Sequence, residues 1–139
     1  MPECVFCAIV AGDSPAAIVA ETDDLLALLD VRPVSTGHTL VVPKVHAARL
    51  SELDDALGAR MFALGHRLAR AAQAGPLHAD GTNLVVNDGR AAFQTVDHVH
   101  LHVIPRFAGD KRALLGRLLR RRPRTSDGAA ALLREGLAD

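Results

Sequence analysis

The densest chemistry in this chain lies in five residues, His98-Val99-His100-Leu101-His102. Side chains on a strand alternate between faces with period two. The three imidazoles therefore share one face, while Val99, Leu101 and Val103 share the other and can enter a core. Imidazoles this close disfavour each other's charged form. The residues alone leave three readings. One is a solvated face that happens to be rich in histidine. A second is a metal site, since alternate residues on a strand can chelate zinc. The third is catalysis, in which one neutral imidazole attacks while its neighbours bind anionic oxygen.

Two further groups carry reactive or charged side chains. Cys4 and Cys7 are the only cysteines and are spaced C-x-x-C. A reducing compartment argues against a disulfide there, which leaves metal binding or redox chemistry. Arg117 to Arg124 is arginine-rich. A short basic run is most often a solvated face or connector, with polyphosphate contact or RNA affinity as its functional alternatives. With four Phe and no Trp, the chain lacks an aromatic platform for nucleic acid, and no specific nucleic acid is expected.

The elements that must position these groups follow from pattern and punctuation. Val5, Phe6, Ile9 and Val10 fall at helical offsets before the Gly12-Asp13-Ser14-Pro15 break. Ile18 to Glu21, Leu25 to Asp30 and His38 to Val42 read as strands, the last closed by Pro43. Ser51-Glu52-Leu53-Asp54 resembles a capping box opening a helix. The apolar stripe of that helix is Leu53, Leu57, Met61, Leu64, Leu68 and Ala71, and Gly75-Pro76 ends it. Thr82 to Val86 and Val99 to Ile104 are strands, with Pro105 expected to stop the second, and Ala129 to Leu137 is a last amphipathic piece. Several strands and one long helix imply an α+β domain with a mainly antiparallel sheet.

The whole-chain quantities set bounds. A length of 139 residues predicts one domain, 1–139, with a basic C-terminal segment over 111–139. The charges balance to zero, so no global field points to nucleic acid or to an acidic membrane. No apolar run is long enough to span a bilayer, and the N-terminus lacks a basic start followed by an apolar stretch. The expected location is cytoplasmic.

Gln94-Thr95-Val96-Asp97-His98-Val99-His100-Leu101-His102-Val103-Ile104-Pro105-Arg106 resembles the signature of the histidine-triad (HIT) superfamily. Other blocks resemble it in family order: Cys4-Val5-Phe6-Cys7-Ala8-Ile9, then Leu29-Asp30-Val31-Arg32-Pro33 with Gly37-His38-Thr39-Leu40-Val41-Val42-Pro43-Lys44-Val45-His46, then Asn87-Asp88-Gly89. The resemblance implies a twisted antiparallel sheet of about five strands with one long helix and shorter terminal helices. It further implies a homodimer acting on a purine nucleotide. By resemblance His100 attacks the α-phosphorus, forming a nucleotidyl-histidine that water or another acceptor resolves. The carbonyl of His98 would orient His100, and His102 would donate to a phosphate oxygen. Thr95 would offer a hydroxyl to the phosphate or departing group, and Gln94 would contact the phosphate or the leaving-group side. Asn87 and Asp30 match residues that contact ribose or phosphate, and Phe6, Ile9 and Val31 match the base pocket.

A related branch, galactose-1-phosphate uridylyltransferase, pairs C-x-x-C with a distant His and the first His of its own motif. The corresponding residues here are Cys4, Cys7, His46 and His98, which implies a structural zinc. Two departures bear on substrate. Phe93 stands where the family usually has glycine, and Pro105 to Asp110 looks like the dinucleoside-polyphosphate branch, whereas Asn87 and the cysteine pair look like the phosphoramidase-type Hint branch. The expected activity is phosphoramidate hydrolysis or a related transfer. Dinucleoside polyphosphate hydrolysis is the alternative, and nucleotide binding without catalysis is the alternative of another class.

Overall fold

The computed structural model describes residues 4–124 and 128–138. A short helix α1 (Val5–Val10) leads into the strands β1 (Ile18–Glu21), β2 (Leu25–Leu29) and β3 (Thr39–Pro43). The long helix α2 (Asp55–Ala74) follows, then β4 (Gly81–Val86) and β5 (Leu101–Arg106), and finally α3 (Lys111–Leu119) and α4 (Ala129–Ala138). The five strands form one sheet in the order β1-β2-β3-β5-β4, every pairing antiparallel. This is the α+β architecture expected.

Strand alternation divides the core between the two faces. Ala27, Leu29, Val41, Leu101 and Val103 face α2 and α4 and pack with Leu57, Met61, Leu64, Leu68 and Leu133. Leu26, Leu28, Leu40 and Val42 face the other way, where Phe6 of α1 covers them. His102 stands opposite Leu40 in the β3–β5 register and so looks out on the α1 side. Gly65 lets α2 lie close on β5: a Cβ there would come within 2.6 Å of Leu101 Cδ2. Leu101, between His100 and His102, is thereby seated by the main helix.

Three local expectations are corrected. The long helix opens at Asp54, not at Ser51. Asp54 accepts from the amides of Ala56 at 3.1 Å and Leu57 at 3.3 Å, and a carboxylate cap of this kind also complements the helix dipole. Residues 50–52 form a separate turn, in which Glu52 accepts from the Arg49 amide at 3.1 Å. Pro105 does not stop β5, because β3 contributes no partner beyond Thr39 opposite Val103. Past that point the strand is paired on one flank alone, where a residue without an N–H is tolerated. Finally, β5 begins at Leu101, so His98 and His100 sit in the irregular approach to the strand. The apolar–polar alternation continues through that approach, with Val99 buried against the main core.

Candidate active site and metal centre

The approach to β5 is held by a small polar framework. The amide of Val99 donates to the carbonyl of Ala47 at 2.8 Å. Arg49 Nη1 donates to Gln94 Oε1 and to Asp97 Oδ1, both at 3.1 Å. Gln94 is buried, and its amide is fully used within the chain. Its Nε2 donates to the carbonyls of Ala48 and Val96 at 2.8 Å each, and its Oε1 accepts from Gly89 N at 2.7 Å as well as from Arg49. Two donors and two lone pairs exhaust a primary amide. Gln94 therefore braces the loop, which corrects the expected phosphate contact. Thr95 is exposed in the same loop, and Asn87 is half-buried just past the end of β4.

The hydrogen bonds assign the tautomers of the histidines. His100 Nδ1 lies 2.8 Å from the carbonyl of His98; a carbonyl only accepts, so Nδ1 carries the proton and Nε2 keeps its lone pair. His98 Nε2 lies 2.8 Å from the carbonyl of Pro43 and likewise donates, which leaves its Nδ1 bare. His38 Nδ1 accepts the Val34 amide at 3.1 Å, so its proton is on Nε2, 2.9 Å from His102 Nδ1. His102 accepts there and carries its own proton on Nε2. A fixed chain thus runs from the Val34 amide through His38 to His102 and ends in an N–H donor beside His100, whose ring centroid is 4.9 Å from that of His102.

Burial keeps these rings neutral. It is the largest cause at each, and it lowers His98 and His100 below the ordinary value. His38 is pushed down to about 4 and His102 to about 3. At His100 the bond to the His98 carbonyl and the charge of Asp30 work in the opposite direction, without overcoming burial. A neutral His100 with a free Nε2 is a nucleophile near pH 7, and a neutral His102 with Nε2–H is a donor. Phe6 packs against the pair, its ring 5.2 Å from that of His100 and 5.6 Å from that of His98. Ile9 is partly buried next to Phe6, whereas Val31 is 63% exposed.

Cys4, Cys7, His46 and His98 converge on the far side of His98, with one ligand atom from each lying within 4.8 Å of all the others. His98 Nδ1 is 3.3 Å from Cys4 Sγ, 3.6 Å from Cys7 Sγ and 3.2 Å from His46 Nδ1, and Cys7 Sγ is 3.3 Å from His46 Nδ1. Ligands on a tetrahedral zinc, with Zn–N near 2.0 Å and Zn–S near 2.3 Å, stand about 3.3–3.8 Å apart, so the donor set fits that ion. Desolvation and then the neighbouring Cys4 sulfur raise the Cys7 thiol pKa, a repulsion that a bound dication would reverse. The bond from His98 Nε2 to Pro43 is the kind of outer contact that orients a histidine ligand. Asp30, His38 and His102 also cluster within ligand distance. The Val34 amide fixes the His38 proton on the nitrogen that would have to bind, so that trio is a hydrogen-bonded relay.

Asp30 is buried at the end of β2. Its Oδ1 accepts the Arg32 amide at 2.9 Å, and its Oδ2 stands 3.0 Å from Arg121 Nη2 and 3.6 Å from His38 Nε2. A solvated face is the expectation for the basic run; Arg121 departs from it, because it reaches a buried carboxylate. His38, Arg49 and Arg121 were all missed as site residues in the sequence. His38 follows Gly37 in a stretch that resembles the family, Arg121 lies in the basic run for which polyphosphate contact is one reading, and nothing in the sequence points to Arg49. In the Pro105–Asp110 segment, Arg106 is bound by Asp110 and by Asn83 Oδ1.

Comparison with known proteins agrees with this geometry. The HIT domain model matches residues 11–109. An uncharacterized HIT-like protein of Mycobacterium tuberculosis is 50% identical over 135 residues, spanning 97% of this chain and 93% of that protein. An adenosine 5'-monophosphoramidase of Schizosaccharomyces pombe is 47% identical over 103 residues, 74% of each chain. The crystal structure of a Zn-bound histidine triad family protein from Mycobacterium smegmatis superposes with a TM-score of 0.87 at 50% identity, covering 98% of this chain and 94% of that one. Among the described residues, no helix is long and apolar enough to cross a membrane.

Proposed function

The chain belongs to the histidine-triad family, and from that premise we propose that it hydrolyses nucleoside 5'-phosphoramidates or related nucleotide conjugates through a nucleotidyl-His100 intermediate. The observation that carries this reading is the pair of fixed tautomers: a buried neutral imidazole with its attacking nitrogen bare, beside one with its donor nitrogen protonated. His100 Nε2 attacks the α-phosphorus and a P–Nε2 bond forms as the P–N bond to the leaving amine breaks. His102 Nε2–H donates to the oxygen on which charge gathers. The amine departs with a proton taken from solvent, water then attacks phosphorus and gives a proton back to solvent, and the P–Nε2 bond breaks to release the nucleoside monophosphate and restore His100. The His98 carbonyl stabilises the positive charge on His100 while the adduct stands. Thr95 and Asn87 flank the phosphate, Asp30 takes the sugar hydroxyls, and Phe6 with Ile9 and Val31 borders the purine.

The phosphoramidase named among the relatives supports this substrate class, and the charge of Arg106 is taken up by Asp110. Cys4, Cys7, His46 and His98 would hold a structural zinc, supported by the donor geometry and by the Zn-bound relative. Four protein ligands leave no open position, so the ion would supply rigidity, pinning α1 to the carbonyl that orients His100. β4 is an edge strand with Val85 and Val86 exposed, and Phe62 of α2 is exposed too; a second copy would cover them.

Quenched wild-type enzyme mixed with adenosine 5'-phosphoramidate is expected to show, by mass spectrometry, an adenylyl adduct on the peptide carrying His100. His100→Ala should show neither adduct nor turnover while still binding AMP. Substantial turnover by that variant, or an adduct elsewhere, overturns the reading.

A further inference from the structure

We infer that the C-terminal arginine segment is a working wall of the nucleotide site, in which Arg121 is a positioning residue that aims the Asp30 carboxylate at the sugar diol. This rests on the reading of Asp30 given above and adds a part of the chain outside the matched HIT domain, which ends at residue 109.

The segment after α3 doubles back onto the turn that follows β2, and three contacts anchor it there. Arg121 Nε donates to the carbonyl of Arg32 at 2.9 Å, Arg121 Nη2 donates to Asp30 Oδ2 at 3.0 Å, and the Arg124 amide donates to the carbonyl of Val31 at 3.1 Å. One guanidinium thus ties a backbone carbonyl and a side-chain carboxylate of the same turn, and this rigid fork is what distinguishes arginine from lysine. The Asp30 side chain is 11% exposed and that of Arg121 37%, so the pair has one buried and one solvated end.

The lone pairs show what this leaves for a ligand. A carboxylate has about four acceptor positions. The Arg32 amide takes one on Oδ1 and Arg121 takes one on Oδ2, so one remains on each oxygen. Two acceptors on neighbouring oxygens of a planar group match two donors on neighbouring carbons, the 2'- and 3'-hydroxyls of ribose. With both oxygens already tethered, the carboxylate cannot swing, and the sugar meets a preorganised acceptor. His38 Nε2 cannot replace Arg121, since it stands 3.6 Å off and its proton is directed to His102. The positive charge of Arg121 also reaches His38 and His102, where it helps to hold both rings neutral.

The test is a cycle between side chain and substrate. Wild type and Arg121→Ala are each assayed with adenosine 5'-phosphoramidate and with its 2',3'-dideoxy analogue. Wild type should prefer the ribose form by about tenfold or more in kcat/KM, since hydrogen bonds to a charged acceptor are at stake. Arg121→Ala should raise KM for the ribose form about three- to tenfold, with kcat changed little, and should shrink the ribose preference by the same factor. Arg121→Lys, which keeps the charge without the fork, should recover less than half of that loss on a logarithmic scale. A destabilised fold would lower kcat for both substrates and leave their ratio alone. If Arg121→Ala keeps the wild-type ratio, or lowers KM because the arginine had been competing with the sugar, the inference is overturned. If wild type itself shows no ribose preference, the sugar role of Asp30 fails and takes the inference with it, while the His100 adduct stands or falls on its own experiment.

Discussion

Replacing His38 by glutamine should change how the protein responds to acid. His38 is 1% exposed, and its pKa is pushed down to about 4 from an ordinary 6.5. Between those values the unfolded chain binds a proton that the folded chain refuses. Stability therefore rises with pH across that window: His38 contributes fully above about 6.5, and the contribution is lost as pH falls toward 4. From pH 7 to pH 5 one such histidine loses about 2 kcal/mol, because the unfolded ring goes from mostly neutral to almost wholly charged while the folded ring stays neutral. His102, pushed down to about 3, works in the same direction, and the loss at His38 alone is about 2 kcal/mol. That is a sizeable share of the roughly 5–15 kcal/mol that is typical of a domain. Glutamine can place an amide nitrogen near the Nε2 position to donate to His102, and it does not titrate; the loss of the acceptor for the Val34 amide is the same at every pH. Urea unfolding of wild type and His38→Gln at pH 7, 6 and 5 should give curves that converge, with wild type losing about 2 kcal/mol more than the variant by pH 5. Other acid-labile features, a bound metal included, are common to both proteins and cancel in the difference. Parallel losses would refute the buried neutral relay.

The remaining predictions concern the metal and the assembly. Protein purified without chelator should contain close to one zinc per chain, and Cys4→Ser with Cys7→Ser should abolish it and lower Tm by several degrees; zinc far below one per chain, or an unchanged Tm, removes the site. Sedimentation at micromolar concentration should give twice the mass of the chain, and Val85→Lys on the β4 edge should shift it toward one; a monomeric wild type refutes pairing through that strand.

How much of this was legible beforehand depended on how local the physics was. The alternation His98-Val99-His100-Leu101-His102-Val103 by itself separated a reactive face from a core face, because strand geometry repeats every two residues whatever surrounds it. The stripe from Leu57 to Ala71 identified α2 for the same reason, and C-x-x-C spacing brings two thiols together within one turn. A local signal could also mislead: Ser51-Glu52-Leu53-Asp54 reads as a capping box opened by Ser51, but the helix starts three residues later, where the Asp54 carboxylate takes the free amides. Pro105 looked like a strand end because a missing N–H matters only if a neighbour needs it, and whether one does depends on how far β3 extends alongside. The resemblance implied the orientation of His100 by the His98 carbonyl, whereas the tautomer of His102 needed the tertiary structure. Which nitrogen of His100 attacks is decided by a carbonyl two residues away, and which nitrogen of His102 donates is decided by His38, sixty-four positions earlier in the chain. Gln94 looked like a ligand contact until Arg49, Gly89, Ala48 and Val96 filled its valences. Arg121 looked like solvated charge because no periodicity links it to Asp30, ninety-one residues away; only the return of the chain after α3 brings them within 3.0 Å.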